Sequence, residues 1–149
     1  MTLPKQSFLA LAAVGWADGA LQKVEATGLL RAAKECGVPE ADLPAIEQAI
    51  KTKTTLAGLE LGGLSPWEQV LTYALAAWLA QVDGVVSTDE QGVLGALGDG
   101  LGLSEALRKR AAVAANDIAC LPEGGRPDRY DFQKLVARIK ERIPQVDAS

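Results

Sequence analysis

The strongest constraint on the fold is an internal repeat, in which the sequence matches itself without a gap at an offset of 65 residues. The apolar segment 8–17 corresponds in the same way to segment 73–82. An internal repeat predicts two similar structural units, and a chain of 149 residues is long enough for only one ordinary domain. The aligned pairs are Asp18-Gly19 with Asp83-Gly84, Glu25 with Glu90, Leu29 with Leu94, Gly37 with Gly102, Val38 with Leu103, and Glu40 with Glu105.

The composition predicts that both halves are helical. Alanine and leucine dominate the 48% of hydrophobic residues, and aromatic residues make up only 5%. We therefore expect a single all-α domain over residues 1–149, a bundle of about seven to eight helices built from two similar halves. The first half covers about 5–53, a glycine-rich connector about 54–64, the second half about 65–119, and an additional C-terminal helix about 130–143.

The centre of the bundle is predicted to be the helix that begins at Ser65-Pro66-Trp67-Glu68. Serine can cap a helix, proline suits its first position, and a glutamate three residues after the cap completes a capping box. The residues that follow form an apolar stripe at helical spacing, which predicts a buried helix ending near Asp83-Gly84. The three tryptophans fall on apolar faces and are expected in the core: Trp16, Trp67 and Trp78.

The absence of histidine excludes several classes of enzyme and metal site. A Ser-His-Asp triad, a Cys-His pair and a His-ligated zinc or iron site all need this residue. The two cysteines, Cys36 and Cys120, are too few for a Cys₄ site, and we expect both to be buried structural thiols. No glycine-rich phosphate loop follows a strand. We expect no enzymatic activity and no small-molecule substrate, and the alternative is an enzyme that uses paired carboxylates for acid–base chemistry.

The charged residues are distributed unevenly along the chain. The formal net charge is −4, which disfavours nucleic acid as a partner. No Lys or Arg occurs between Thr54 and Leu107, whereas the C-terminal part is basic. A surface with an acidic and a basic side favours protein partners. On the basic side we expect the triplet at 108–110 to be a solvated helix face, and one face of the last helix to carry Lys134, Arg138 and Arg142.

The repeated motif Asp-Gly followed by glutamate is the candidate functional feature. Each aspartate ends one helix and each glutamate opens the next, so a tight turn brings the two carboxylates close together. If the halves pack about a pseudo-twofold axis, the four carboxylates can face each other and bind a hard divalent cation such as Ca²⁺, Mg²⁺ or Mn²⁺. The alternative is structural, because aspartate favours turns and glutamate stabilises helix N-termini. The candidate ligands are Asp18, Glu25, Asp83 and Glu90.

This arrangement resembles the TerB-like tellurite-resistance domain family. The resemblance is carried by Trp16-Ala17-Asp18-Gly19 with Glu25, and by the segment 81–87 with Asp89-Glu90. It extends over about residues 5–118 and includes the glycines that end the second helix of each half. The first copy departs from the pattern at Gln22-Lys23, where the second copy has Ser87-Thr88.

The resemblance implies a non-enzymatic bacterial module built from two helical halves. It also implies a link to tellurite or stress response, with Asp18, Glu25, Asp83 and Glu90 as the cation ligands. We accordingly expect a cytoplasmic protein, or one peripheral to the inner membrane, that works with protein partners. A metal-free helical scaffold that binds partners through its acidic and basic faces is the alternative.

Overall fold

The computed structural model describes residues 3–17, 23–56, 61, 63–81, 88–121 and 132–143. Over these residues the chain is all-helical, as the sequence predicts, and no strand is present. None of the helices in these ranges has both the length and the apolar character needed to cross a bilayer. The helices are α1 (Lys5–Gly15), α2 (Lys23–Glu35), a 3₁₀ turn (Glu40–Asp42), α3 (Leu43–Lys51), α4 (Pro66–Ala80), α5 (Thr88–Leu101), α6 (Glu105–Ala119) and α7 (Phe132–Arg142).

The helices recur along the chain at the same offset of 65 residues. Helix α1 ends at Gly15 and α4 ends at Ala80, while α2 begins at Lys23 and α5 begins at Thr88. The 3₁₀ turn and α3 together correspond to α6, which is one continuous helix. The first half thus has the helix order of the second, with the third helix broken near its start.

The ends of α2 and α5 show the same correspondence at the level of single hydrogen bonds. Gly37 and Gly102 have φ of 75° and 71°, the left-handed conformation that favours glycine. The next residue in each half, Val38 or Leu103, donates its backbone N–H over 3.1 Å to a carbonyl five residues earlier. This bond closes a Schellman motif, and both residues that follow the glycines are buried.

The two halves meet where α1 packs against α4. A buried hydrogen bond of 2.9 Å joins the hydroxyl groups of Ser7 and Thr72, which are 65 residues apart and therefore equivalent. Equivalent residues can touch each other only near the axis that relates the two halves. The Ser7–Thr72 pair thus marks a pseudo-twofold axis through the crossing of α1 and α4.

Helix α4 is the central helix of the bundle, as its sequence predicts. It packs against α1, α5, α6 and α7, and every residue from Val70 to Ala80 is buried. Its N-terminus has the predicted capping box, in which Glu68 N–H donates to Ser65 Oγ over 3.2 Å and Ser65 N–H donates to Glu68 Oε1 over 2.8 Å. Trp78 is buried in the core and the partly buried Trp67 packs against it, as expected. Trp16 is only partly buried and is not among the residues of this core, so the core assignment is wrong for Trp16.

The basic triplet at 108–110 was expected to be a solvated helix face, and this is wrong for its first residue. Lys109 and Arg110 are exposed, but Arg108 is partly buried and turns back toward the end of α5. Its Nε–H donates to the Leu103 carbonyl over 3.0 Å, and its Nη2 lies 2.9 Å from Asp99 Oδ1. The guanidinium group has room to do this because Gly98 has no side chain. A Cβ atom at Gly98 would lie 2.6 Å from Arg108 Nε.

We predict that Gly98→Ala lowers the free energy of unfolding by about 1 kcal/mol, although alanine is the better helix former. The added methyl group displaces Arg108 and breaks its two hydrogen bonds. The first half has Ala33 and Leu43 at the positions equivalent to Gly98 and Arg108. The double variant Gly98→Ala/Arg108→Leu should therefore recover wild-type stability or exceed it in urea denaturation. A gain of about 1 kcal/mol from Gly98→Ala alone would show that the Arg108 contacts contribute nothing.

Candidate functional site

The described residues contain four buried polar or charged side chains, and these form two equivalent pairs. One pair is Ser7 and Thr72 on the pseudo-twofold axis, and the other is Glu25 and Glu90. The two glutamates are the third residues of α2 and α5 and keep only 7% and 5% of their surface exposed. Burial of a carboxylate is costly unless polar groups or a cation compensate it. Both halves bury a glutamate at the same position, so the two carboxylates are equivalent in burial as well as in sequence.

The other two candidate ligands, Asp18 and Asp83, lie outside the described residues. Within the described part of the chain, no group of three or more Cys, Asp or Glu side chains has the spacing of a metal site. The four-carboxylate cluster thus stays a prediction, for which the structure supplies the positions of Glu25 and Glu90.

The end of α1 and the start of α5 come together across the two halves. Ala17, the residue before Asp18, and Asp89, the residue before Glu90, line the same hollow. The residue that precedes Asp18 in the chain and the residue that precedes Glu90 therefore share one hollow. The repeat by itself predicts this proximity only if the two halves pack face to face, so it is the tertiary structure that brings Ala17 and Asp89 to the same hollow.

The hollow has a volume of about 430 Å³ and lies between α1, α5 and the segment 53–56 that follows α3. The sequence pattern does not indicate this hollow, since it predicts residues 54–56 only as the start of a connector. Its lining is mainly apolar and includes the ring of Trp16, whose indole N–H donates to the Ala49 carbonyl over 2.8 Å. The ring is thus held in place by α3 while part of it faces the hollow.

The two thiols have different environments. Cys36 is buried, as expected, and burial raises the pKa of its thiol to about 12, with a smaller contribution from the charge of Glu35. Cys120 is exposed at the end of α6, so the expectation of a buried thiol is wrong there. Cys120 is exposed because it is the C-terminal cap of α6 and lies just past Ile118, the last buried residue of that helix.

The basic surface is formed by α6 and α7, which pack against each other. Lys109, Arg110 and Arg142 surround the exposed side chain of Val113 in a shallow hollow of about 220 Å³. Arg142 also forms an ion pair of 2.7 Å with Asp117 of α6. The sequence predicts that Lys134, Arg138 and Arg142 share one face of α7, and all three are exposed. The basic side of the molecule is therefore accessible to a partner.

Comparison of the chain with protein-family models, with curated proteins and with solved structures finds no match in any of the three.

Proposed function

We propose that this protein is a non-enzymatic helical module that binds a divalent cation through Asp18, Glu25, Asp83 and Glu90. The observation that supports the proposal is the equivalent burial of Glu25 and Glu90, which are the two buried carboxylates among the residues described. Oxygen ligands of this kind suit Ca²⁺, Mg²⁺ or Mn²⁺. The resemblance to the TerB-like family adds a proposed role in the tellurite or stress response of a bacterial cell.

The cation proposal predicts a thermal shift that depends on the carboxylates. After removal of metal with chelator, saturating Ca²⁺, Mg²⁺ or Mn²⁺ should raise the melting temperature by about 5–10 °C, and calorimetry should show saturable binding. Asp18→Asn and Asp83→Asn should each abolish this shift, because a neutral amide attracts a cation less strongly than a carboxylate. Asp42→Asn, in the 3₁₀ turn, is the matched control and should leave the shift unchanged.

The turn-and-cap alternative gives the opposite result. If the aspartates only stabilise turns, Asp18→Asn and Asp83→Asn lower the melting temperature equally with and without metal. If no ion produces heat or a thermal shift in the wild-type protein, the cation proposal is refuted. Glu90→Gln provides a second variant in case an aspartate variant does not fold, since it keeps the size of the side chain.

A metal-free scaffold that binds protein partners is the second candidate function. It is supported by the exposed bases of α6 and α7 together with the acidic stretch between Thr54 and Leu107. Binding through these faces would be electrostatic, so it would weaken as the salt concentration rises. Cation binding, by contrast, would not require the basic face.

A further inference from the structure

Helices α6 and α7 carry an excess of positive charge on an otherwise acidic protein. Together they contain seven Lys or Arg and three Asp or Glu, although the whole chain has a formal net charge of −4. One of the seven bases, Arg108, turns away toward Leu103 and Asp99. The remaining six are exposed to solvent: Lys109, Arg110, Lys134, Arg138, Lys140 and Arg142.

Arg142 joins the two helices into one continuous basic surface. It lines the shallow hollow of about 220 Å³ together with Lys109 and Arg110 of α6. Arg138 lies one helical turn before Arg142 and shares its face of α7. Arg138 also lines a second shallow hollow with Lys134, which lies two turns before Arg142. The basic surface therefore extends along α7 for about 12 Å, since each residue adds about 1.5 Å to a helix.

Half of these six bases have no acidic partner among the residues that the structure describes. Lys109, Arg110 and Arg138 form no ion pair with any described residue. Arg142 does pair with Asp117, but its side chain keeps 53% of its surface exposed. Like charges that lie close together repel each other, so an anionic partner on this surface would relieve that repulsion.

An aliphatic side chain lies among the cations. Val113 is the one large hydrophobic side chain that is exposed among the described residues. Lys109 and Arg110 lie one turn before it on α6, and Arg142 lines the same hollow. Cations around an exposed apolar side chain supply the two components of peripheral membrane binding. One is attraction to anionic headgroups, and the other is burial of apolar surface at the headgroup boundary.

We propose that the basic surface of α6 and α7 docks this protein on an anionic phospholipid bilayer. The exposed bases contact lipid phosphates, and Val113 enters the boundary between the headgroups and the acyl chains. Clusters of about four to eight Lys or Arg are typical of binding to anionic lipids, and this surface has six. The inference does not rest on cation binding by the four carboxylates, which lie on other helices and turns.

A bilayer fits this surface better than a second copy of the chain or another folded protein. A second copy offers little free negative charge on its acidic stretch, since Asp99 is paired with Arg108 and Glu90 is buried. A folded partner binds mainly through a few side chains that fill well-packed pockets, whereas both basic hollows are shallow. A bilayer presents phosphates over a plane, so it can contact bases on two helices at once.

The first test is sedimentation of the full chain with vesicles, with chelator present so that the proposed cation site plays no part. The protein should bind vesicles made of equal parts phosphatidylglycerol and phosphatidylcholine, and should not bind vesicles of phosphatidylcholine alone. A rise in salt from about 0.05 M to about 0.5 M should release it. Lys109→Gln/Arg110→Gln should weaken binding about thirtyfold, because each base near an anionic surface contributes about a fivefold factor.

Lys34→Gln/Lys51→Gln is the matched control. Both lysines are exposed, on α2 and α3, so this variant has the same net charge as the first but keeps the basic surface. It should bind the anionic vesicles like the wild type. The proposal is overturned if the two double variants lose binding equally, since net charge alone would then decide it. It is also overturned if the wild-type protein binds neither kind of vesicle or binds both equally.

A second measurement identifies the face that meets the bilayer. Cys120→Ser removes the exposed thiol and leaves Cys36, which is buried. In that background, Val113→Cys or Gln48→Cys can be labelled selectively with the environment-sensitive fluorophore NBD. NBD at position 113 should brighten when the anionic vesicles are added, and NBD at the exposed position 48 of α3 should not. Vesicle binding without a change at position 113 would overturn the proposal and leave the basic surface to an acidic protein partner.

Discussion

Replacement of Leu75 with alanine is expected to lower the free energy of unfolding by about 3–5 kcal/mol. Leu75 is 1% exposed in the centre of α4, the helix that contacts both halves of the bundle. Removal of its side chain loses the transfer free energy of the buried carbons and leaves a cavity that the surrounding helices cannot fill completely. For a chain of this length such a loss lowers the melting temperature by roughly 8–15 °C.

The measurement is urea denaturation followed by circular dichroism, with Val113→Ala as the control. Val113 is 55% exposed on α6, so its truncation should change the free energy of unfolding by less than about 0.5 kcal/mol. Equal effects of the two substitutions would contradict the central position of α4.

Stability is expected to fall steeply in alkaline solution because of Cys36. Burial raises the pKa of its thiol from the ordinary value of 9.0 to about 12 in the folded protein. The neutral thiol is therefore favoured by folding, and its contribution to stability is complete below pH 9. Between pH 9 and 12 the unfolded chain ionises while the folded chain does not, which costs about 1.4 kcal/mol per pH unit. Burial also raises the pKa of Tyr73, an effect that Arg108 partly offsets, so the tyrosine adds to the same decline above pH 10.

Denaturation at pH 8, 9, 10 and 11 checks this prediction. Cys36→Ala should be less stable than the wild type at pH 8, since it leaves a small cavity, but its stability should decline less with pH. The exposed Cys120 offers a matched control, and Cys120→Ala should follow the wild-type curve. Parallel curves for Cys36→Ala and the wild type would show that the buried thiol does not govern the alkaline decline.

Much of the fold follows from local sequence signals. The capping box at Ser65 and Glu68 places the start of α4, and Ser104 caps α6 by accepting from Leu107 N–H over 3.3 Å. Gly37 and Gly102 end α2 and α5 because a left-handed residue at that point is easiest for glycine. These signals act over a few residues, so they can be recognised without knowledge of the tertiary structure.

The candidate site was only partly predictable, for a physical reason that Glu25 and Glu90 illustrate. The repeat identified both residues, but a glutamate in the first turn of a helix has the same sequence signature whether it is solvated or buried. Their burial depends on what the other helices place above them. Arg108 is a similar case, since the space that lets it reach Asp99 comes from Gly98 on another helix.

By itself the sequence determined that this chain is helical, where several of its helices begin or end, and that the helix pattern occurs twice, because propensities, caps and periodicity are local properties of the backbone. The tertiary structure decided how the two copies differ. Ser7 meets Thr72 on a pseudo-twofold axis, α7 packs against α2, α4 and α6, and a hollow lies beside Trp16. Such differences depend on contacts between residues far apart in the chain, and no local pattern encodes which surface a distant helix will cover.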